Sequence, residues 1–121
     1  GDAYADLPFS VAIALLTRVI SKPGKDRLCL DLGYKSVASE MPLESRIVIP
    51  AIPDAKFIGH SEEHLVIETS HASDVSLGTA FLAFPRHVCP TVALHDFLTL
   101  VRDGQATGEL WPVTARGRFL I

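Results

Sequence analysis

The sequence predicts a mainly β domain, a small antiparallel β-barrel or sandwich that covers residues 1–121 with at most one or two short helical turns. Six or seven short apolar segments, rich in β-branched residues, are separated by turn-forming residues, as in antiparallel β proteins. In addition, Pro42, Pro50 and Pro53 exclude any long regular element from the middle of the chain.

The first predicted element covers residues 9–20, whose odd positions are apolar as far as Leu15. Such alternation is typical of a strand, although apolar residues of the same segment also fall at helical spacing, so a helix over 11–20 is the competing interpretation. Residues 21–25 carry a Pro-Gly pair and predict a tight turn, and residues 28–32 predict a returning strand. The hairpin that these segments would form favours the strand.

The middle of the chain alternates between irregular segments and short strands. Further strands are predicted at 55–60, 65–69 and 79–84. Loops are predicted at 33–53, which includes a surface loop at 40–44, at 61–64 and at 70–78.

The last third of the chain contains its clearest hairpin. A helical turn is predicted over 91–94, with Pro90 at its start. Apolar residues 97–101 then lead into Asp103-Gly104, a strong signal for a two-residue turn, and residues 109–113 form the return strand. We expect the tail at 115–119 to close the sheet.

Composition excludes several classes of protein. The chain has 121 residues, 48% of them apolar and 21% charged, with a formal net charge of −3. No run of Lys or Arg is present, which argues against a nucleic-acid partner. The longest apolar run, residues 11–16, is much shorter than the roughly 18 residues of a membrane span, and no signal peptide is recognisable. The two cysteines are too few for a disulfide framework, so we expect a reducing, cytoplasmic location.

A proline-bracketed stretch at residues 84–91 carries an imidazole and a thiol two positions apart, at His87 and Cys89. In an extended backbone these two side chains would point to the same face. A histidine nitrogen and a thiolate form a donor set that suits zinc. The alternative is a half-buried histidine beside a small apolar cysteine. Pro85 and Pro90 are expected to stiffen the segment and keep it out of a regular ladder.

A second polar group precedes the predicted strand at 65–69. Glu62, Glu63 and His64 could hold or orient a metal ligand, and the alternative is a solvated connecting loop. Lys35 is expected to be a surface lysine, because no desolvated pocket is evident around it.

Three segments of the sequence resemble a known family. They are Ser-Glu-Glu-His at 61–64, Pro-Arg-His-Val-Cys-Pro-Thr-Val at 85–92 and Trp-Pro-Val-Thr-Ala-Arg-Gly at 111–117, and the runs at 1–4 and 31–35 fit the same pattern. Together they resemble the C-terminal domain of the D-serine dehydratase and D-threonine aldolase family, pyridoxal-phosphate enzymes of the alanine-racemase fold type. The His-x-Cys-Pro-Thr segment is the most specific part of the match.

The resemblance implies a division of labour between two domains. In that family a barrel domain carries pyridoxal phosphate on a lysine, and a β-rich C-terminal domain brings a divalent metal to the substrate. The metal ligands of the family correspond to His87 and Cys89, with His64, Glu63 and Thr91 as candidates for residues behind the metal or beside the substrate. A thiol at the second position is associated with zinc-dependent D-serine dehydratases, and an aspartate there with aldolases.

The sequence therefore predicts the metal-binding C-terminal domain of a longer lyase, with its pyridoxal-phosphate barrel absent from this chain. The expected activity of the intact enzyme is elimination of water and ammonia from D-serine, with zinc holding the substrate hydroxyl and two subunits forming a homodimer. No catalytic residue is assigned in this chain, which we expect to be inactive alone and to bind zinc weakly. The alternatives are a D-threonine aldolase-like activity and a non-catalytic interaction module.

Overall fold

The computed structural model describes residues 10–117 and confirms a mainly β, antiparallel fold. Six strands form one sheet in the order β3-β6-β1-β2-β5-β4, and β7 and β8 form a separate ribbon. The strands are β1 (Leu15–Gly24), β2 (Arg27–Leu30), β3 (Ile47–Val48), β4 (Lys56–His60), β5 (Leu65–Glu68), β6 (Ala80–Pro85), β7 (Phe97–Arg102) and β8 (Gln105–Pro112). A single-turn helix, α1 (Val88–Val92), and 3-10 turns at Leu43–Ser45 and Thr114–Arg116 complete the described elements.

The hairpin of β1 and β2 confirms the choice of strand over helix, but its turn is displaced from the predicted position. Residues 10–14 are irregular, and Phe9 lies outside the described residues. Pro23 and Gly24 belong to β1, and the turn falls at Lys25 and Asp26. The register of the hairpin is interrupted between Ser21 and Gly24. Such an irregularity accommodates a proline, which has no N–H for the ladder, so this proline did not mark the turn.

The predicted strands and loops of the middle region are confirmed with small changes. β4 and β5 pair across the turn at 61–64, and residues 70–78 contain no regular element. The irregular segment 33–53 contains only a 3-10 turn and the two-residue strand β3 among its described elements. β3 pairs with β6, so this long segment is fixed to the edge of the sheet.

The proline-bracketed stretch departs from the prediction in two ways. Pro85 is the last residue of β6 and lies opposite Ile47, so it joins a ladder that we expected it to avoid. It can do so because a strand end tolerates a residue without an N–H group. The helical turn begins at Val88 instead of Thr91, and Pro90 is its third residue. Proline is accepted there because N–H groups of the first turn have no intrahelical partner.

The core lies mainly on one face of the six-stranded sheet and is completed by the irregular segment. In β5 the buried residues Leu65 and Ile67 alternate with half-buried ones, and they lie opposite Leu30 and Leu28 of β2. Each fully buried aliphatic side chain of this kind contributes about 1.5–3 kcal/mol. The loop residues of the core cluster are Leu32, Val37, Ile49, Ile52 and Ala72. The segment at 33–53 is therefore irregular in backbone but anchored by burial.

The ribbon of β7 and β8 confirms the predicted hairpin. Asp103 and Gly104 have φ values of 50° and 75°, the left-handed conformations of a two-residue hairpin turn. The expectation that the tail closes the sheet is wrong for residues 115 and 116, which lie in a 3-10 turn, and Phe119 lies outside the described residues. Within residues 10–117 no helix is long and apolar enough to cross a membrane.

Candidate metal centre

The two predicted ligands lie where the chain passes from β6 into α1. His87 precedes the helix in an extended conformation (φ −112°, ψ 98°), whereas Cys89 is the second residue of the helix. The expectation of an extended backbone through both residues is therefore wrong, because successive helical residues rotate by about 100° instead of alternating between two faces. Both residues are exposed, and the Cys89 thiol is free. The other cysteine, Cys29, is free and buried in β2.

The imidazole of His87 is held by a carboxylate from a distant loop. Its Nδ1 atom is hydrogen-bonded to Oε1 of Glu40, a residue 47 positions earlier in the chain. An ionised carboxylate can only accept a hydrogen bond, so Nδ1 carries the proton. The pKa of the Glu40 carboxyl is lowered, first by a hydrogen bond from its own backbone and next by His87. Within the described part of the chain, Nε2 of His87 has no hydrogen-bonding partner and is available to a ligand.

Thr91, predicted as a candidate supporting residue, is buried and contacts the backbone near both members of this pair. Its hydroxyl donates a hydrogen bond to the carbonyl oxygen of His87 (2.8 Å) and accepts one from the backbone N–H of Ala38 (3.2 Å). The side chain is only 1% exposed. One hydroxyl thus joins the backbone of the predicted ligand to the loop that carries Glu40.

Three further contacts fix the same loop. Nε2 of His95 donates a hydrogen bond to the carbonyl oxygen of Ser36 (2.8 Å), and Val37 is fully buried in the core. On the other side of Glu40, Nε of Arg46 donates to the carbonyl oxygen of Met41 (2.7 Å). The loop is therefore anchored both before and after the carboxylate.

Arg46 is in turn supported by a histidine of β4. Its Nη1 atom donates a hydrogen bond to Nδ1 of His60 (2.9 Å), while Nε2 of His60 donates to the carbonyl oxygen of Leu32 (3.0 Å). Only a neutral imidazole can accept from the guanidinium. Burial lowers the pKa of His60 below its usual 6.5, which keeps the ring neutral. The ring of Tyr34 packs edge-on against it.

The other sequence-predicted candidates occupy a separate cluster in the turn between β4 and β5. Nζ of Lys35 lies 2.9 Å from carboxylate oxygens of both Glu62 and Glu63, and these contacts raise the pKa of the exposed lysine. This confirms Lys35 as a surface residue. His64 is exposed. Among the described residues, no hydrogen bond or ion pair connects Glu63 or His64 with His87.

The side chains of His87 and Cys89 are donors of the types that zinc takes. Nε2 of a histidine whose other nitrogen is bound to a carboxylate is the usual arrangement of a metal-ligating imidazole, and the exposed thiol of Cys89 supplies a soft second donor. No group of three or more His, Cys, Asp or Glu side chains that could hold a metal occurs within residues 10–117. Two protein ligands would leave the remaining positions of zinc to water or substrate. Sequence reasoning missed Glu40, and no local pattern links it to a residue 47 positions away.

Fold and site together define a small antiparallel β domain with an exposed histidine and an exposed cysteine at the start of a short helix. Residues 12–101 match the family described as "Putative serine dehydratase domain", and the chain belongs to this family. The match covers most of the chain, including the sheet, α1 and Glu40.

Individual relatives agree with this assignment. The chain is 36% identical over 115 residues to a D-threonine aldolase of an Arthrobacter species and 32% identical over 109 residues to 3-hydroxy-D-aspartate aldolase of Paracoccus denitrificans. The crystal structure of D-threonine aldolase from Filomicrobium marinum superposes on 92% of the chain with a TM-score of 0.78 and 29% identity.

The lengths of the relatives fall into two groups. The chain spans only 28% of the Arthrobacter enzyme, 26% of the Paracoccus enzyme and 30% of the Filomicrobium chain. In contrast, an uncharacterised protein of Mycobacterium tuberculosis is 33% identical over 121 residues, and the alignment covers 96% of this chain and 89% of that protein. Sequences similar to this chain thus occur both as part of much longer enzymes and as a chain not much longer than the aligned region.

Proposed function

We propose that this chain serves as the metal-binding C-terminal domain of a pyridoxal-phosphate-dependent lyase that acts on D-β-hydroxy amino acids. The observation that carries the proposal is the 36% identity to a D-threonine aldolase over nearly the whole chain. The pyridoxal phosphate would be bound by a preceding barrel domain, since no cofactor lysine is assigned in this chain. A cytoplasmic location is part of the same proposal.

The metal in this proposal is zinc, bound by Nε2 of His87 and Sγ of Cys89. It is supported by the availability of Nε2, by the carboxylate on Nδ1 and by the exposed thiol. When bound, zinc acts as a Lewis acid toward a substrate oxygen, and pyridoxal phosphate stabilises negative charge at the α-carbon. The role of the chain's own residues is to hold the metal at a fixed place: Glu40 and Thr91 keep the ring and the backbone of His87 in position. His64 and Glu63 remain candidates for substrate-side residues.

Within this class we favour elimination from D-serine, which yields pyruvate and ammonia, because Cys89 provides the thiol that the family resemblance associates with dehydratases. Cleavage of D-threonine to glycine and acetaldehyde is the second candidate. A specific observation favours it, since the D-threonine and 3-hydroxy-D-aspartate enzymes among the relatives are both aldolases.

The partners in this proposal are the preceding barrel domain and a second subunit. They are supported by the apolar side chains that the domain leaves exposed. Leu16 and Leu82 lie opposite each other on β1 and β6 and are 64% and 54% exposed. Phe97 and Trp111 of the ribbon are similarly exposed. Such surface is unusual for an isolated domain and is typical of an interface.

A non-catalytic interaction module is the remaining alternative, and it is favoured by the mycobacterial relative, which the alignment covers over 89% of its length. The test is to express the complete gene and to assay pyruvate release from D-serine and acetaldehyde release from D-threonine. Turnover that is lost in both His87→Ala and Cys89→Ala and depends on added zinc would support the lyase. Absence of turnover on both substrates, with pyridoxal phosphate and zinc supplied, would favour the module.

A measurement of zinc content tests metal binding independently of enzyme activity. The purified 121-residue chain should bind zinc weakly, and His87→Ala and Cys89→Ala should each abolish that binding. Cys29→Ala is the matched control, because this thiol is buried in β2 and should not contribute. Equal zinc content in Cys89→Ala and in the unmodified chain would refute the proposed ligand pair.

A further inference from the structure

The contact between Glu40 and His87 contributes little to stability by itself. Both side chains are about half exposed, 47% for Glu40 and 51% for His87, and such exposed contacts are weak because water screens them. Yet the loop that presents Glu40 is anchored by four contacts from three different parts of the fold. Such anchoring is more than an incidental surface contact requires.

The anchors lie on both sides of the carboxylate. Before it, the Thr91 hydroxyl holds the N–H of Ala38; after it, the Arg46 guanidinium holds the carbonyl of Met41. The same hydroxyl also binds the carbonyl oxygen of His87. One buried side chain therefore fixes the backbone on both sides of the Glu40–His87 contact, which sets the distance between carboxylate and imidazole.

The contact between Glu40 and His87 determines which nitrogen of the His87 ring carries the proton. A neutral imidazole has one N–H and one lone pair, and the partner of the N–H decides which nitrogen carries the proton. A metal ion binds only the nitrogen with the lone pair. Because the carboxylate accepts from Nδ1–H, the lone pair is on Nε2, and Nε2 faces no other partner among the described residues.

We propose that Glu40 is a positioning residue for His87: its carboxylate holds the ring as the Nδ1–H tautomer in a fixed orientation and leaves Nε2 to bind the metal. The inference rests on the proposed zinc site, and it assigns a function to a residue outside the His-x-Cys segment. The loop at 36–41 thereby becomes part of the metal centre, and Thr91 acts on the metal through both partners of the contact.

The first experiment determines the tautomer of the His87 ring in the absence of metal. The nitrogen chemical shifts of His87 in the ¹⁵N-labelled chain, recorded at about pH 8, identify the tautomer. The unmodified chain should show Nδ1–H, and Glu40→Ala should shift the population toward Nε2–H. Glu44→Ala is the control, since it removes the same charge from the neighbouring 3-10 turn. An unchanged tautomer in Glu40→Ala would overturn the positioning role.

The second experiment measures zinc affinity by titration of the same labelled proteins with zinc chloride. Removing the carboxylate behind a ligating histidine weakens metal binding by about 10- to 100-fold, so this loss is expected for Glu40→Ala. Glu40→Gln should lose less, because its amide oxygen can still accept from Nδ1–H, and Glu44→Ala should bind like the unmodified chain. Equal or tighter zinc binding by Glu40→Ala would contradict the inference.

The two experiments distinguish this inference from the proposal on which it depends. If the unmodified chain binds no zinc, the metal centre is refuted, and the zinc-binding part of the inference with it. If the chain binds zinc but neither tautomer nor affinity responds to Glu40→Ala, the metal centre stands and the role of Glu40 is refuted.

Discussion

The buried hydroxyl of Thr91 offers the most direct test of how the candidate site is held together. Thr91→Val keeps the shape of the side chain but removes the donor to His87 and the acceptor for Ala38. Ala38 is 9% exposed, so its N–H would be left largely without water. An unsatisfied buried N–H costs about 1–3 kcal/mol and loss of the second hydrogen bond about 1 kcal/mol more. We therefore expect a loss of about 2–4 kcal/mol in the free energy of unfolding.

The matched control is Thr91→Ser, which keeps the hydroxyl and removes only the methyl group, at a cost of about 1 kcal/mol. Urea unfolding should show a lower midpoint for Thr91→Val than for Thr91→Ser, with unchanged slopes. Zinc binding should follow the same order, because only Thr91→Val loosens the loop that carries Glu40. If the serine variant is as destabilised as the valine variant, the hydroxyl does not hold this region and the reasoning is refuted.

Three further predictions concern stability. Gly33→Ala places a Cβ 2.0 Å from a backbone oxygen of the facing turn and should lower the free energy of unfolding by about 3 kcal/mol or more. In the control Gly59→Ala the added Cβ meets nothing within 4 Å, so the urea midpoint should change little, and equal effects of the two substitutions would contradict the close approach at Gly33. Because burial lowers the pKa of His60, the free energy of unfolding should decrease as pH falls below about 6.5, and His60→Gln should weaken this pH dependence between about pH 7.5 and pH 5.5. The same pH dependence of stability in both proteins would contradict this prediction. Hydrogen bonds from the side chain and backbone of Ser70, and then from a threonine hydroxyl, lower the pKa of Asp54 to about 2. Asp54→Asn should therefore be less stable than the unmodified chain at neutral pH, and this difference in stability should disappear as pH falls from 3.8 toward 2; a difference in unfolding midpoint that does not change with pH would refute the prediction.

Local signals predicted the parts of the fold that depend on local chemistry. Asp103-Gly104 requires two left-handed residues, and the structure shows both, so the ribbon could be derived from sequence alone. The turn after β1 could not, because Pro23-Gly24 is as well accommodated in an irregular strand as in a turn. The choice depends on pairing with β2, which is a tertiary effect.

The start of α1, at the candidate site, likewise could not be predicted from local sequence. Two prolines and an alternating His-x-Cys pattern predict extended backbone, but Thr91 is buried and the chain turns into a helix at Val88. The Thr91 hydroxyl stabilises this turn by donating a hydrogen bond to the carbonyl oxygen of residue 87 and accepting one from the N–H of residue 38, and the second of these partners is not visible in the local sequence.

The carboxylate of Glu40 gives His87, one of the two proposed ligands, an orientation that the sequence argument for the pair did not supply. A pair two residues apart supplies donors but does not orient them, and here the change from extended to helical backbone between His87 and Cys89 removes the alternation that would have done so. Orientation comes instead from a loop 47 residues earlier, carried to His87 by the core and by Thr91. A site with only two ligands gains few metal bonds, so the direction of each donor decides its affinity. The proposed metal centre therefore depends on the loop, the helix and the sheet edge together, and substitutions in residues 36–41 should lower zinc affinity as strongly as those next to the proposed ligands.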